Sequence, residues 1–202
     1  MPTLIAEALP ALHDKALATL TSRAPCPVAT YVLIRQSTAD SDLRGDEAEP
    51  VRRRFNAYYG VRRNPAWRER FYTRFENAKT SALPPVALFE DVLLGLQADT
   101  GRVEASFVSK LVATLRPESP IIDSVVRGWL TRHLSTPPFG QGATAAVAYY
   151  HWLETLWGAL AASPQAAEWS RIFSAAFPLE TGEGSVSAAK QLDFLIWAGA
   201  DR

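Results

Sequence analysis

The run SFVSKLVATLRPESPIID, residues 106–123, sets a lysine inside an apolar stretch and an aspartate at the opening of the next one. Lys110 has Ser106, Ala113 and Thr114 about one helical turn away, small residues that leave room for another helix or for a bound molecule. A lysine amine is a nucleophile only when neutral, and partial burial or a neighbouring cation brings that about by lowering its pKa. Asp123 follows RPESPII and precedes SVVRGWL, which is an N-cap position. Backbone N–H groups fix such a side chain, and the helix N-terminus favours its negative charge. A carboxylate held in that way stabilises a developing cation or helps to deprotonate a nucleophile. Two plainer roles stand beside these: Lys110 snorkels to water, and Asp123 caps its helix and does nothing else. The catalytic pairing expects both side chains to open to one shared pocket; side chains pointing to opposite surfaces would end it.

The chain has equal numbers of acidic and basic residues and no net charge, but the distribution is uneven. Residues 51–80 sum to +7, with Arg62, Arg63, Arg68, Arg70 and Arg74 among the basic residues, and the rest of the chain therefore sums to −7. The same window carries Phe55, Tyr58, Tyr59, Trp67, Phe71, Tyr72 and Phe75. Arginine interleaved with aromatic rings suits phosphate backbones and unstacked bases. A helical surface over an aromatic core gives the same pattern. His13, His133 and His151 are scattered without metal-ligand spacing, and no phosphate loop or Gly-x-Ser-x-Gly elbow is present. No metal or cofactor is expected. The aromatic run YYHWLETLW, with Tyr149, Tyr150, Trp152 and Trp157, lines either a pocket or the core, and helical spacing favours the core.

Positioning these residues requires helices. Asn64 before Pro65, and Ser163 before Pro164, are N-cap and first-turn pairs. Trp67, Phe71 and Phe75 make one stripe; Val86, Phe89, Val92, Leu93 and Leu96 make another, with Gly101 beyond it. Helices are also expected over 3–22 with a break at Pro10, 50–59, 104–115, 123–134, 142–162 and 187–199. Residues 28–35 read as a short strand or a helix, and 36–50, STPPFGQG and ETGEGS as loops. The outcome is an all-α fold in one domain of 202 residues, 1–49 being an N-terminal portion and 50–198 the core. The stretch 142–162 is only mildly apolar and interrupted by His151 and Glu154, so it reads as a buried helix and not a membrane span. The N-terminus lacks the pattern of a signal peptide, and Cys26 is the sole cysteine, which together point to the cytoplasm.

The run SFVSKLVATLRPESPIIDSVV resembles the signature of the helix-hairpin-helix DNA glycosylases, and in particular the bacterial group described as 8-oxoguanine DNA glycosylase-like. The matching residues are Ser106, Phe107, Ser109, Lys110, Pro120, Asp123, Ser124 and Val126, and YYGVRRNPAWRERFY and KQLDFLIW are similar as well. The resemblance implies a DNA-repair enzyme on double-stranded DNA. Lys110 would attack the sugar C1′ of a damaged nucleotide to form a Schiff base, Asp123 would assist, and the base would be extruded into a pocket. Ser106 and Ser109 of the hairpin, with the arginines of the basic window, would face the nucleic acid. The sequence departs from the family where Ser106 and Val108 replace hairpin glycines, and it lacks the four cysteines of the iron–sulfur variants. The alternative is a non-catalytic helical domain that binds nucleic acid or another protein.

Overall fold

A computed structural model describes residues 2–181 and 186–201, and every regular element among them is helical. In chain order the α-helices are α1 (Pro2–Ala8), α2 (His13–Ser22), α3 (Pro27–Asp40), α4 (Glu49–Tyr59), α5 (Pro65–Lys79), α6 (Pro85–Thr100), α7 (Ala105–Leu115), α8 (Ser124–His133), α9 (Ala143–Ala161), α10 (Pro164–Ala176), α11 (Pro178–Thr181) and α12 (Ala188–Gly199). Short 3-10 turns lie at Pro10–Leu12 and Asp46–Ala48. The all-α expectation holds, and no described helix is long and apolar enough to cross a membrane.

Local chemistry sets most helix ends. The side chains of Asn64, Asp123, Ser163 and Ser187 accept hydrogen bonds from backbone N–H groups of the first turns of α5, α8, α10 and α12. Gly60 and Gly101 end α4 and α6 in the left-handed region, at φ of 66° and 69°. Residues 28–35 are helical, inside α3. Val28, Tyr31, Ile34 and Thr38 are buried at helical spacing, a period visible only when the window reaches past residue 35. The expected loop at 36–50 is correspondingly shorter, because residues 36–40 complete α3, a 3-10 turn spans 46–48, and Glu49 begins α4. Of ETGEGS, Glu180 and Thr181 end α11, and the remaining residues lie outside those described.

The core centres on α12, which packs against α2, α8, α9 and α10. Of its residues only Ala188 and Trp197 are more than marginally exposed. Trp157 of α9 and Trp169 of α10 are buried and donate their indole N–H groups to the carbonyl oxygens of Ala189 and Gln191, at 3.1 and 2.8 Å. Tyr150 stacks on Phe89 between α9 and α6 at 4.0 Å, so this part of the aromatic run is core. Residues 1–49 supply Ile5, Leu9, Leu20, Tyr31 and Ile34, all fully buried in the same core.

The closest approach of α12 to the N-terminal part falls at Gly199. A Cβ there would meet Leu12 Cβ at 2.8 Å and the Leu12 carbonyl oxygen at 2.9 Å. Gly199→Ala is therefore expected to destabilise by about 1–3 kcal/mol, because backbone must move. Gly158→Ala, on an exposed turn of α9 with nothing near, should instead stabilise by up to about 1 kcal/mol through helix propensity. Urea midpoints at constant m-value check both.

Candidate functional site

Helices α7 and α8 and the loop between them form a hairpin stitched from inside. The Ser109 hydroxyl accepts from Ile122 N at 2.9 Å and donates to Ser106 O at 3.0 Å. The Ser106 hydroxyl donates to Ile122 O at 2.8 Å. These bonds draw the chain before α8 back along α7, so that Asp123 arrives beside Lys110. Asp123 Oδ1 then accepts from Val125 N and Val126 N, at 2.8 and 3.4 Å, and Oδ2 makes no hydrogen bond among the described residues.

Lys110 and Asp123 open to one pocket of about 520 Å³, the arrangement that the catalytic pairing requires. Lys110 is 8% exposed; its Nζ donates to Tyr59 O at 3.2 Å and lies 5.3 Å from the Phe107 ring centre. Burial holds its amine below the ordinary lysine value. The charges of Asp123 and Asp193 oppose that shift, and Lys190 adds to it. Its surroundings thus shift Lys110 toward the neutral amine relative to a lysine in water, and at 8% exposure it is not a side chain that reaches out to water.

Two residues singled out by no sequence argument complete the floor. Lys190 and Asp193, one turn apart on α12, form a buried ion pair at 2.5 Å. Lys190 also sits over the rings of Tyr31 and Phe194, each 4.8 Å away. The other Asp193 oxygen, Oδ1, is buried with no hydrogen-bond partner among the described residues, and burial pushes this carboxyl up against the pull of Lys190. The walls are aromatic, from Tyr58, Tyr59, Phe194 and Trp197. The sequence signals for the pair were its i, i+3 spacing within a mostly apolar helix and its place in the run KQLDFLIW.

A second cavity of about 510 Å³ borders Lys110 and Asp123 from the other flank, with Ser106, Arg127, Phe139 and Gln141 in its lining. The two residues are a wall common to both spaces.

The residues expected to face nucleic acid lie in different surroundings. Ser109 is fully buried and cannot reach a ligand; its hydroxyl serves the hairpin. Ser106 borders the second cavity, but its hydroxyl is likewise engaged with Ile122. Arg63 pairs with Glu104 at 2.9 Å and packs over Phe107 at 5.3 Å, which ties the segment between α4 and α5 to the start of α7. Arg74 makes two hydrogen bonds to Asp99, at 2.7 and 3.0 Å, and Arg70 donates to the Asp99 carbonyl. These three arginines brace helices. Arg62 is exposed without an ion pair, and Arg68 borders a different, polar cavity with Arg44 and Arg52. None of the five borders the pocket of Lys110, whereas Arg23 and Arg54 do.

Ser109→Ala strands the buried Ile122 N–H and should cost about 1–3 kcal/mol in urea unfolding. For Lys110 the sign is fixed by its depressed pKa. Below the ordinary value of 10.5, and above the folded value, the unfolded chain holds a proton that the folded chain has released. Stability from this group therefore rises with pH through that window. In Lys110→Met this contribution to the slope of the urea midpoint against pH should vanish. No family model matches the chain, nor does any curated protein or solved structure, so the site is described by its own geometry.

Proposed function

We propose that the chain is a DNA glycosylase-like enzyme that removes a damaged base, with Lys110 as nucleophile and Asp123 as its assisting carboxylate. The observation that carries this reading is the shared pocket. A largely buried lysine with a depressed pKa and a carboxylate with one unengaged oxygen face one aromatic-walled space of about 520 Å³. An extruded base is held by stacking on such walls and by hydrogen bonds to its edge.

In this reading neutral Lys110 bonds through Nζ to C1′ of the extruded nucleotide. The bond from C1′ to the base breaks, and its electron pair leaves with the base, which takes up a proton. Nζ gives up a proton, with Asp123 Oδ2 as the acceptor. The sugar then opens at C1′–O4′, O4′ takes a proton, and the nitrogen lone pair completes a protonated imine. Water reverses the imine and frees the lysine.

Borohydride reduces that imine to a stable amine and so joins protein to DNA. Wild-type protein mixed with duplexes bearing 8-oxoguanine, uracil or an abasic site should give a trapped species with at least one of them. Lys110→Ala should give none, and Asp123→Asn should slow trapping by about 10²-fold or more, the scale of a lost acid–base group. Base release without trapping would move the reaction to a direct attack by water. Neither trapping nor base release from any duplex would overturn the enzyme reading in favour of a domain that binds without chemistry.

A further inference from the structure

We propose that Arg23 and Arg54 form a phosphate clamp at the rim of the pocket, so that its ligand is a nucleotide and not an uncharged base. This deepens the reading given above and rests on it for the identity of the strand.

Four basic side chains border the pocket, Arg23, Arg54, Lys110 and Lys190, against two carboxyl groups, Asp123 and Asp193. Most of these groups are already engaged. Lys190 is paired with Asp193, the Lys110 amine donates to Tyr59 O, and Asp123 Oδ1 caps α8. Arg23 and Arg54 differ. Among the described residues neither has a carboxylate within 4.0 Å, in contrast to Arg44, Arg52, Arg63, Arg74 and Arg171. They come from separate elements, Arg23 from the end of α2 and Arg54 from α4.

Geometry prepares both for an anion. The Arg23 guanidinium lies over the Trp197 ring, 5.0 Å from its centre, which fixes the cation on the pocket wall. A guanidinium held over a ring keeps N–H groups that can make two parallel bonds to phosphate oxygens. Arg54 is half-buried without a counter-charge, a state that an incoming anion relieves. The same pocket is lined by Tyr58, Tyr59, Phe194 and Trp197. A phosphate on the two arginines and a planar ring on the aromatic walls together describe a nucleotide. The phosphate belongs either to a strand that carries an extruded nucleotide or to a free mononucleotide.

The test uses the whole protein. Fluorescence anisotropy at several salt concentrations would follow binding to a duplex carrying a tetrahydrofuran abasic analogue. Calorimetry would compare deoxyguanosine and deoxyadenosine monophosphates with their uncharged nucleosides. Arg54→Gln should weaken duplex binding roughly 10- to 100-fold and flatten the log–log salt slope by about one. Arg23→Gln with Arg54→Gln should flatten it by about two, while Arg171→Gln, which does not border the pocket, changes neither. Because Arg23 packs on Trp197, the single Arg54 variant keeps the test valid if the double variant fails to fold. If the wild type ignores the duplex but binds a monophosphate over its nucleoside, and Arg54→Gln abolishes this, the clamp stands and the DNA reading falls. Duplex binding unchanged by either variant overturns the clamp and leaves the DNA reading standing. Binding of neither probe overturns both.

Discussion

A helix buried on all sides has nowhere to send its polar groups except into the protein, and that constraint organises this molecule. Helix α12 runs through the middle of the fold carrying Lys190, Gln191 and Asp193 in an otherwise apolar sequence. Gln191 is settled by Ser170 and by the Val186 carbonyl. Lys190 pairs with one oxygen of Asp193, and both residues line a pocket that also reaches Phe194 and Trp197 of this helix. A buried ion pair is weak support for stability, since replacing both charges by packed apolar groups is often neutral or better. Its presence on the most enclosed helix is more simply understood as a requirement of the pocket than as a device for holding the core together.

The same logic explains why the lysine of α7 is not a surface lysine. Val108, Leu111 and Val112 are fully buried, so α7 is anchored deep. Ser109 and Ser106 then fold the following segment back along it. Small side chains in this hairpin do the work that glycine does in closer backbone approaches: hydroxyls bond to the backbone of Ile122 where bulkier residues would hold the two strands of the hairpin apart. Lys110 is left with a carbonyl, two rings and a carboxylate across the gap, and little water.

What could be read from the sequence was local. Asn64, Asp123 and Ser163 cap as expected because a cap depends on two or three neighbours and nothing distant. The lysine–aspartate pairing was legible for the same reason, both residues belonging to one hairpin. The roles of the arginines were not. Composition distinguishes a basic window but not which members are already spoken for: Arg63 finds Glu104 and Arg74 finds Asp99, partners 41 and 25 residues away. Arg54 lay in the same window without standing out, and Arg23 lay outside it, since only tertiary packing brings the two to one pocket. Residues 28–35 were ambiguous because β-branched residues dominate the short window, and tertiary burial of the longer α3 decided the matter.

The position of α12 in the chain has a bearing on how the molecule is made. The column on which α2, α8, α9 and α10 converge is translated after all of them. Until it emerges, those helices hold a trough of apolar surface with no occupant, and the indoles of Trp157 and Trp169 lack their acceptors. The contacts that close the fold span nearly the full chain, as between Leu12 and Gly199, and such contacts form late and slowly. The growing polypeptide is therefore sticky and unfinished until α12 has emerged, and the pocket, whose floor is part of α12, comes into being only then.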